Sequence, residues 1–127
     1  MTKLPKYTTL ICLVLVSCSS IPSVPNEITG TVRSSFEIFS FKPIGSEYSH
    51  WINGESYKAK DWSLFEEIYR PLNAKAEDQY LKPSWIYICI SARALIEQHP
   101  DGVGHVGAWD SDITFTEVSS AKIGKCE

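Results

Sequence analysis

Residues 62–72 read WSLFEEIYRPL, and the hydrophobic period changes at this stretch. Trp62, Phe65, Ile68, Tyr69 and Leu72 recur at spacings of three and four, which puts them on one face of a helix. Ser63 with Glu66 fits a capping box, and Asp61 is an alternative cap. Pro71 disfavours helical backbone at Arg70, so a short helix is expected.

On either side of this segment the period is two. Upstream, residues 27–33 (EITGTVR) place Ile28, Gly30 and Val32 on one face, and Gly30 suits a strongly bent strand. A second strand is expected over 36–41 (FEIFSF), followed by a turn at Pro43 and Gly45. A third is expected over 48–53 (YSHWIN), stopped by Asn53-Gly54. Downstream, residues 85–95 (WIYICISARAL) alternate most clearly, with Ile86, Ile88 and Ile90 on one face and Tyr87 and Cys89 on the other. Residues 113–118 (ITFTEV) complete the set. Three strands, a helix and two strands is the element order of the OB-fold, a five-stranded Greek-key barrel. The expected fold is therefore mainly β, a barrel with one short helix in the order βββ-α-ββ. Other α+β arrangements share that order.

The N-terminus bears on address. Lys3 and Lys6 precede an apolar run from Tyr7 to Val16, the layout of a secretory signal. The run is far shorter than the about 20 residues that a helix needs to cross a bilayer. Leu15-Val16-Ser17-Cys18 follows and resembles the lipobox of bacterial lipoproteins. That resemblance implies cleavage before Cys18, a diacylglyceryl thioether on its sulfur and acylation of the new amine. Several acyl chains, each contributing about 0.8 kcal/mol per buried CH₂, hold a protein more firmly than one chain does. Ser19, which is not Asp, implies sorting to the outer membrane with the domain facing the periplasm. The expected organisation is a signal over 1–17, lipidated Cys18 with a Ser- and Pro-rich tether over 18–26, and one domain over 27–127. Fully extended, residues 19–26 (SSIPSVPN) reach roughly 26–29 Å at about 3.3–3.6 Å per residue, which keeps the domain near the lipid.

Removal of residues 1–17 leaves 110 of 127 residues, enough for one small domain. The net charge falls from −3 to −5 as Lys3 and Lys6 leave. The densest cationic stretch, Lys58-Ala59-Lys60, is followed at once by Asp61, so nucleic acid is not an expected partner. With 43% hydrophobic residues, four Trp and six Tyr, the chain has the composition of a folded domain.

Cys12 falls within the signal, leaving Cys89 and Cys126. In an oxidising compartment they can pair and pin the C-terminal tail to the strand of Cys89. The alternative is one buried and one frayed thiol.

Phe36 through Trp51, with Gly45 between them, then Leu64, Tyr69 and the 85–90 strand, resemble the OB-type domains of envelope lipoproteins. The C-terminal domain of the copper-homeostasis and stress-signalling NlpE family is among them. Residues 104–109 (GHVGAW) and 112–118 (DITFTEV) are similar to the last turn and strand of small uncharacterised lipoproteins. Such domains often carry a cysteine near the second turn, where this chain has Lys42-Pro43-Ile44, so the resemblance brings no cysteine-borne copper role.

The loop over 99–105 (HPDGVGH) holds the densest set of ligand-type groups. His99 and His105, with Asp101, Asp110 and Asp112 nearby, are the types that bind Zn²⁺ or Cu²⁺, although the spacing fits no standard pattern. A turn at Asp101-Gly102 within a structural hairpin accounts for the same residues, and it is the expected reading, with no cofactor. His50 beside Trp51 is a possible ligand-facing pair, with the tryptophan otherwise in the core. Trp62 and Trp85 are expected to pack. Periodicity does not account for Trp109, in the glycine loop, so it is the one of the three that stays a candidate for stacking on a sugar or peptide ring. No GxSxG elbow occurs, and Glu66 and Glu67 are adjacent on the helix and point apart, so an enzyme is not expected. The expected role is a non-catalytic envelope module that contacts another envelope protein, with small-ligand or metal binding as the alternative.

Overall fold

A computed structural model describes residues 24–77 and 85–127. Residues 1–17 and Cys18, with most of the tether, lie outside the described residues. The strands are β1 (Asn26–Ser35), β2 (Ile38–Pro43), β3 (His50–Ile52), β4 (Ile86–Val103) and β5 (Trp109–Ile123), with the helix α1 (Ser63–Glu77) between β3 and β4. They close into a barrel in the order β1-β2-β3-β5-β4. β3 and β5 pair in parallel, Trp51 opposite Asp112 and Ile52 opposite Ile113, and the other neighbours are antiparallel. The fold is the mainly β, OB-like barrel expected from the period change.

Alternation sends one face of each strand inward. Val32, Phe41, Ile88, Ile90, Ile113, Phe115 and Val118 fill the interior almost without exposure. Phe41 and Phe115 meet edge to face, ring centroids 5.2 Å apart. At Gly30 a Cβ would collide with the Lys42 carbonyl oxygen, and it would lie 2.8 Å from the Pro43 Cα. β1 is therefore free to bend tightly against β2, as the glycine inside a strand pattern suggested.

Phe65, Ile68, Tyr69 and Leu72 on α1, with Trp62 just before it, all pack on the core, as their spacing implied. Phe65 sits fully buried between Phe39, Trp62 and Tyr69. Two expectations for this helix are corrected. It does not stop before Pro71 but runs 15 residues through it. Pro71 is exposed, and Leu72 and Ala76 beyond it still pack on the core, so that burial offsets the hydrogen bond lost at the proline. Glu66 does not reach back to cap the first turn. It accepts from Trp62 Nε1 at 3.1 Å and from Arg70 Nε at 3.0 Å.

Other boundaries shift as well. Ser35 pairs with Ile38, so Phe36 and Glu37 form the two-residue turn of a hairpin rather than the start of β2. Phe36 is 82% exposed there, and Glu37 takes a φ of 64°. The third strand contracts to His50–Ile52, while Asn53 accepts from the Glu55 amide and caps a 3₁₀ turn over Gly54–Lys58. The β4–β5 arms are longer than expected, and the chain reverses at Gly104–Ala108 around a 3₁₀ turn at His105–Gly107, not at Asp101-Gly102. Gln98 pairs with Ser111 and Val103 with Trp109, so residues 99–102 bulge opposite Asp110 alone.

Cys89 and Cys126 form a disulfide, with Cα atoms 4.9 Å apart. The tail is also held by the Cys126 amide donating to Thr31 Oγ1 and by the Gly124 amide donating to the Tyr87 carbonyl. Among the described residues no helix is long and apolar enough to cross a membrane.

Candidate functional site

A cleft of about 560 Å³ opens where the β1–β2 turn, β2, β3, the 3₁₀ turn and α1 converge. Phe39, Trp51, Tyr57, Trp62 and Tyr69 supply aromatic wall, and Ser34, Asn53 and Glu37 supply polar groups. Its position follows from the topology. In OB barrels the face of strands 2 and 3, together with the 1–2 and 4–5 loops, is the usual binding surface. Here the 1–2 turn contributes Glu37 and the 4–5 turn contributes His105.

Those two side chains meet. His105 Nε2 lies 3.2 Å from Glu37 Oε2, with both side chains about half exposed, so the two loops are latched across one rim. Beneath them Trp51 and Trp109 pack with ring centroids 5.9 Å apart. Gly104, at φ 77°, passes over both rings, and a Cβ there would fall 2.5 Å from Trp51 and 2.7 Å from Trp109. Only glycine fits that crossing. Trp109 is thus engaged with Trp51, and Trp51 is half-buried in the wall rather than in the core. Trp85 is not a core residue either. It is 42% exposed, with the Arg33 guanidinium 4.7 Å from its ring centroid. Trp62 is buried as expected.

His50 faces away from the rim and meets Ser111 Oγ through Nδ1 at 2.6 Å. Burial disfavours the charged ring and lowers its pKa below 6.5. Above pH about 6.5 the imidazole is neutral in folded and unfolded chains alike. As pH falls through 6.5 the unfolded chain takes up the proton first, so stability is lost on the acid side. His50→Gln is therefore expected to lose less stability than the parent between pH 7 and pH 5. Urea midpoints at the two pH values measure this, and an equal loss in both proteins counts against it.

The ligand-type residues around 99–112 divide differently from the sequence expectation. His99 Nε2 lies 3.3 Å from Asp112 Oδ2 and 3.9 Å from Glu97 Oε2. His105 is on the cleft rim with Glu37, and neither Asp101 nor Asp110 joins the cluster of Glu97, His99 and Asp112. Glu97 was missed because the sequence gives no sign that β4 extends past Leu95. The register that makes Glu97 the cross-strand partner of Asp112 is set only once that arm forms.

No protein-family model matches this chain, and no curated protein or solved structure is significantly similar to it.

Proposed function

We propose that the chain is a lipid-anchored bacterial envelope protein, acylated at Cys18, whose barrel serves as a non-catalytic interaction module. The observation that carries the module reading is the aromatic cleft between the 1–2 turn, β3 and α1. Its walls suit an apolar side chain of a partner protein, and the half-exposed Glu37–His105 pair on its rim offers polar groups for orientation. Both carboxylates lining it are engaged, Glu37 with His105 and Glu66 with Trp62 and Arg70, which supports docking over acid–base chemistry. The anchor rests on Leu15-Val16-Ser17-Cys18 after a basic and apolar leader. Together these describe a compact domain held within tens of ångströms of a leaflet, presenting one face to a neighbour in the periplasm.

Two measurements test this. Mass spectrometry of the mature product is expected to show a chain beginning at a diacylglyceryl Cys18, and recovery of residues 1–17 would reject the anchor. A photo-crosslinking residue at Tyr57, exposed on the cleft wall, is expected to give one discrete adduct in intact cells. The same probe at Lys122, which is exposed and outside the cleft, is expected to give none. Equal labelling from both positions, or none from Tyr57, rejects the cleft as the docking face.

A further inference from the structure

The geometry points to a divalent-cation site formed by Glu97, His99 and Asp112 on the β4–β5 arm, outside the residues that line the cleft. The inference does not rest on the docking reading, although the two regions share Asn53, which lines the cleft and donates to Asp112.

The site grows from the strand register. Glu97 and His99 are two apart on β4 and project on the same side. Asp112 is the cross-strand partner of Glu97. The bulge over 99–102 begins at His99, and His99 comes to lie against the Asp112 carboxylate. One ligand atom from each residue lies within 4.8 Å of the other two. Ligands of a tetrahedral Zn²⁺ bound at about 2.0–2.2 Å are separated by roughly 3.3–3.6 Å. The 3.3 Å gap from His99 Nε2 to Asp112 fits, and the 3.9 Å gap to Glu97 closes by rotation of a side chain that is 75% exposed.

Two further observations bear on a ligand. His99 Nε2 is fully buried and makes no hydrogen bond, because the Asp112 oxygen, though near, is not aligned for one. A simple imidazolium–carboxylate pair would align that N–H on the oxygen, whereas a cation between the two atoms satisfies both. Asp112 itself is only 5% exposed, and a buried carboxylate calls for a counter-charge. Asn53 Nδ2 donates to Asp112 Oδ2 at 2.9 Å and orients it, as an outer-shell partner does at metal sites. An imidazole with two carboxylates suits Zn²⁺ and its first-row neighbours, and of the three side chains Glu97 is the most exposed.

Calorimetric titration of the purified full chain with zinc sulfate tests the assignment. One equivalent is expected to bind in the micromolar range or tighter. His99→Gln and Asp112→Asn are each expected to weaken binding at least tenfold, while His105→Gln stays within threefold. Zinc is also expected to raise the melting temperature of the parent but not of His99→Gln. If Asp112→Asn fails to fold, Glu97→Gln replaces it, since that side chain is exposed and is expected to weaken binding several-fold. Absence of binding at millimolar zinc overturns the site. So does unchanged affinity in His99→Gln, or equal loss in His105→Gln.

Discussion

Phe65→Ala is expected to destabilise the domain by about 3–5 kcal/mol, the range found when a large aromatic core side chain is truncated. The ring is fully buried, and it contacts Phe39 from β2 along with Tyr69 from its own helix and Trp62 just before it. It packs between β2 and α1, so its removal opens a cavity whose walls belong to the sheet and to α1 at once. Relaxation on one side is restrained by the other. Folding stabilities of small domains are only about 5–15 kcal/mol, so this single change takes a large share. Urea unfolding of parent and variant measures the difference. Phe65→Leu is the informative comparator, because it keeps apolar volume and is expected to cost less than half as much. A loss under about 1 kcal/mol in Phe65→Ala would mean that α1 is an appendage rather than part of the packed core.

How much of this was legible in the sequence depends on whether local chemistry and tertiary packing agree. The helix was readable because Trp62, Phe65, Ile68, Tyr69 and Leu72 keep a 3.6-residue period that no strand can satisfy. Its end was not. Pro71 carries a local stop signal, and the burial of Leu72 and Ala76 overrides it. The same conflict explains the first hairpin. Phe36-Glu37 has none of the turn residues that favour a positive φ, so residues 36–41 read as continuous strand. Pairing of Ser35 with Ile38 forces the reversal there and strands Phe36 in solvent. By contrast Asn53-Gly54 and Gly30 were read correctly in kind, because backbone geometry demands those residue types.

The candidate sites depend more heavily on register, which a single sequence does not display. Nothing local in His99 or Asp112 says that they meet, since 13 positions separate them and the approach depends on a bulge. Glu97 was invisible as a ligand until β4 was known to pass it. His105 was grouped with His99 by proximity in sequence, yet the turn at Gly104–Ala108 carries it to Glu37 on the other rim. Trp51 and Trp109 illustrate the same point. The sequence treats them separately, Trp51 as a strand residue and Trp109 as a loop residue, whereas parallel pairing of β3 with β5 brings them into one packed pair beside Gly104.

Cys89→Ser with Cys126→Ser is expected to cost about 2–4 kcal/mol, with the loss acting chiefly through the unfolded chain. The bond closes a loop with a sequence separation of 37, for which the chain-entropy relation gives roughly 4 kcal/mol at the upper end. In the folded state the tail keeps other ties: Cys126 to Thr31, Gly124 to Tyr87, and the Lys125 ammonium 4.5 Å from the Tyr87 ring centroid. The native tail therefore has reason to stay in place without the bond, while the unfolded ensemble gains freedom and exposes more surface. That asymmetry gives a second readout, because the denaturant slope is expected to rise in the double variant as the midpoint falls. Reduction of the parent with dithiothreitol is expected to reproduce both changes. A fall in stability with an unchanged slope would place the effect in the folded state instead. Two titratable thiols in the chain purified from intact cells would show that the bond does not form there. That result would also weigh against the oxidising compartment on which the proposed envelope role depends.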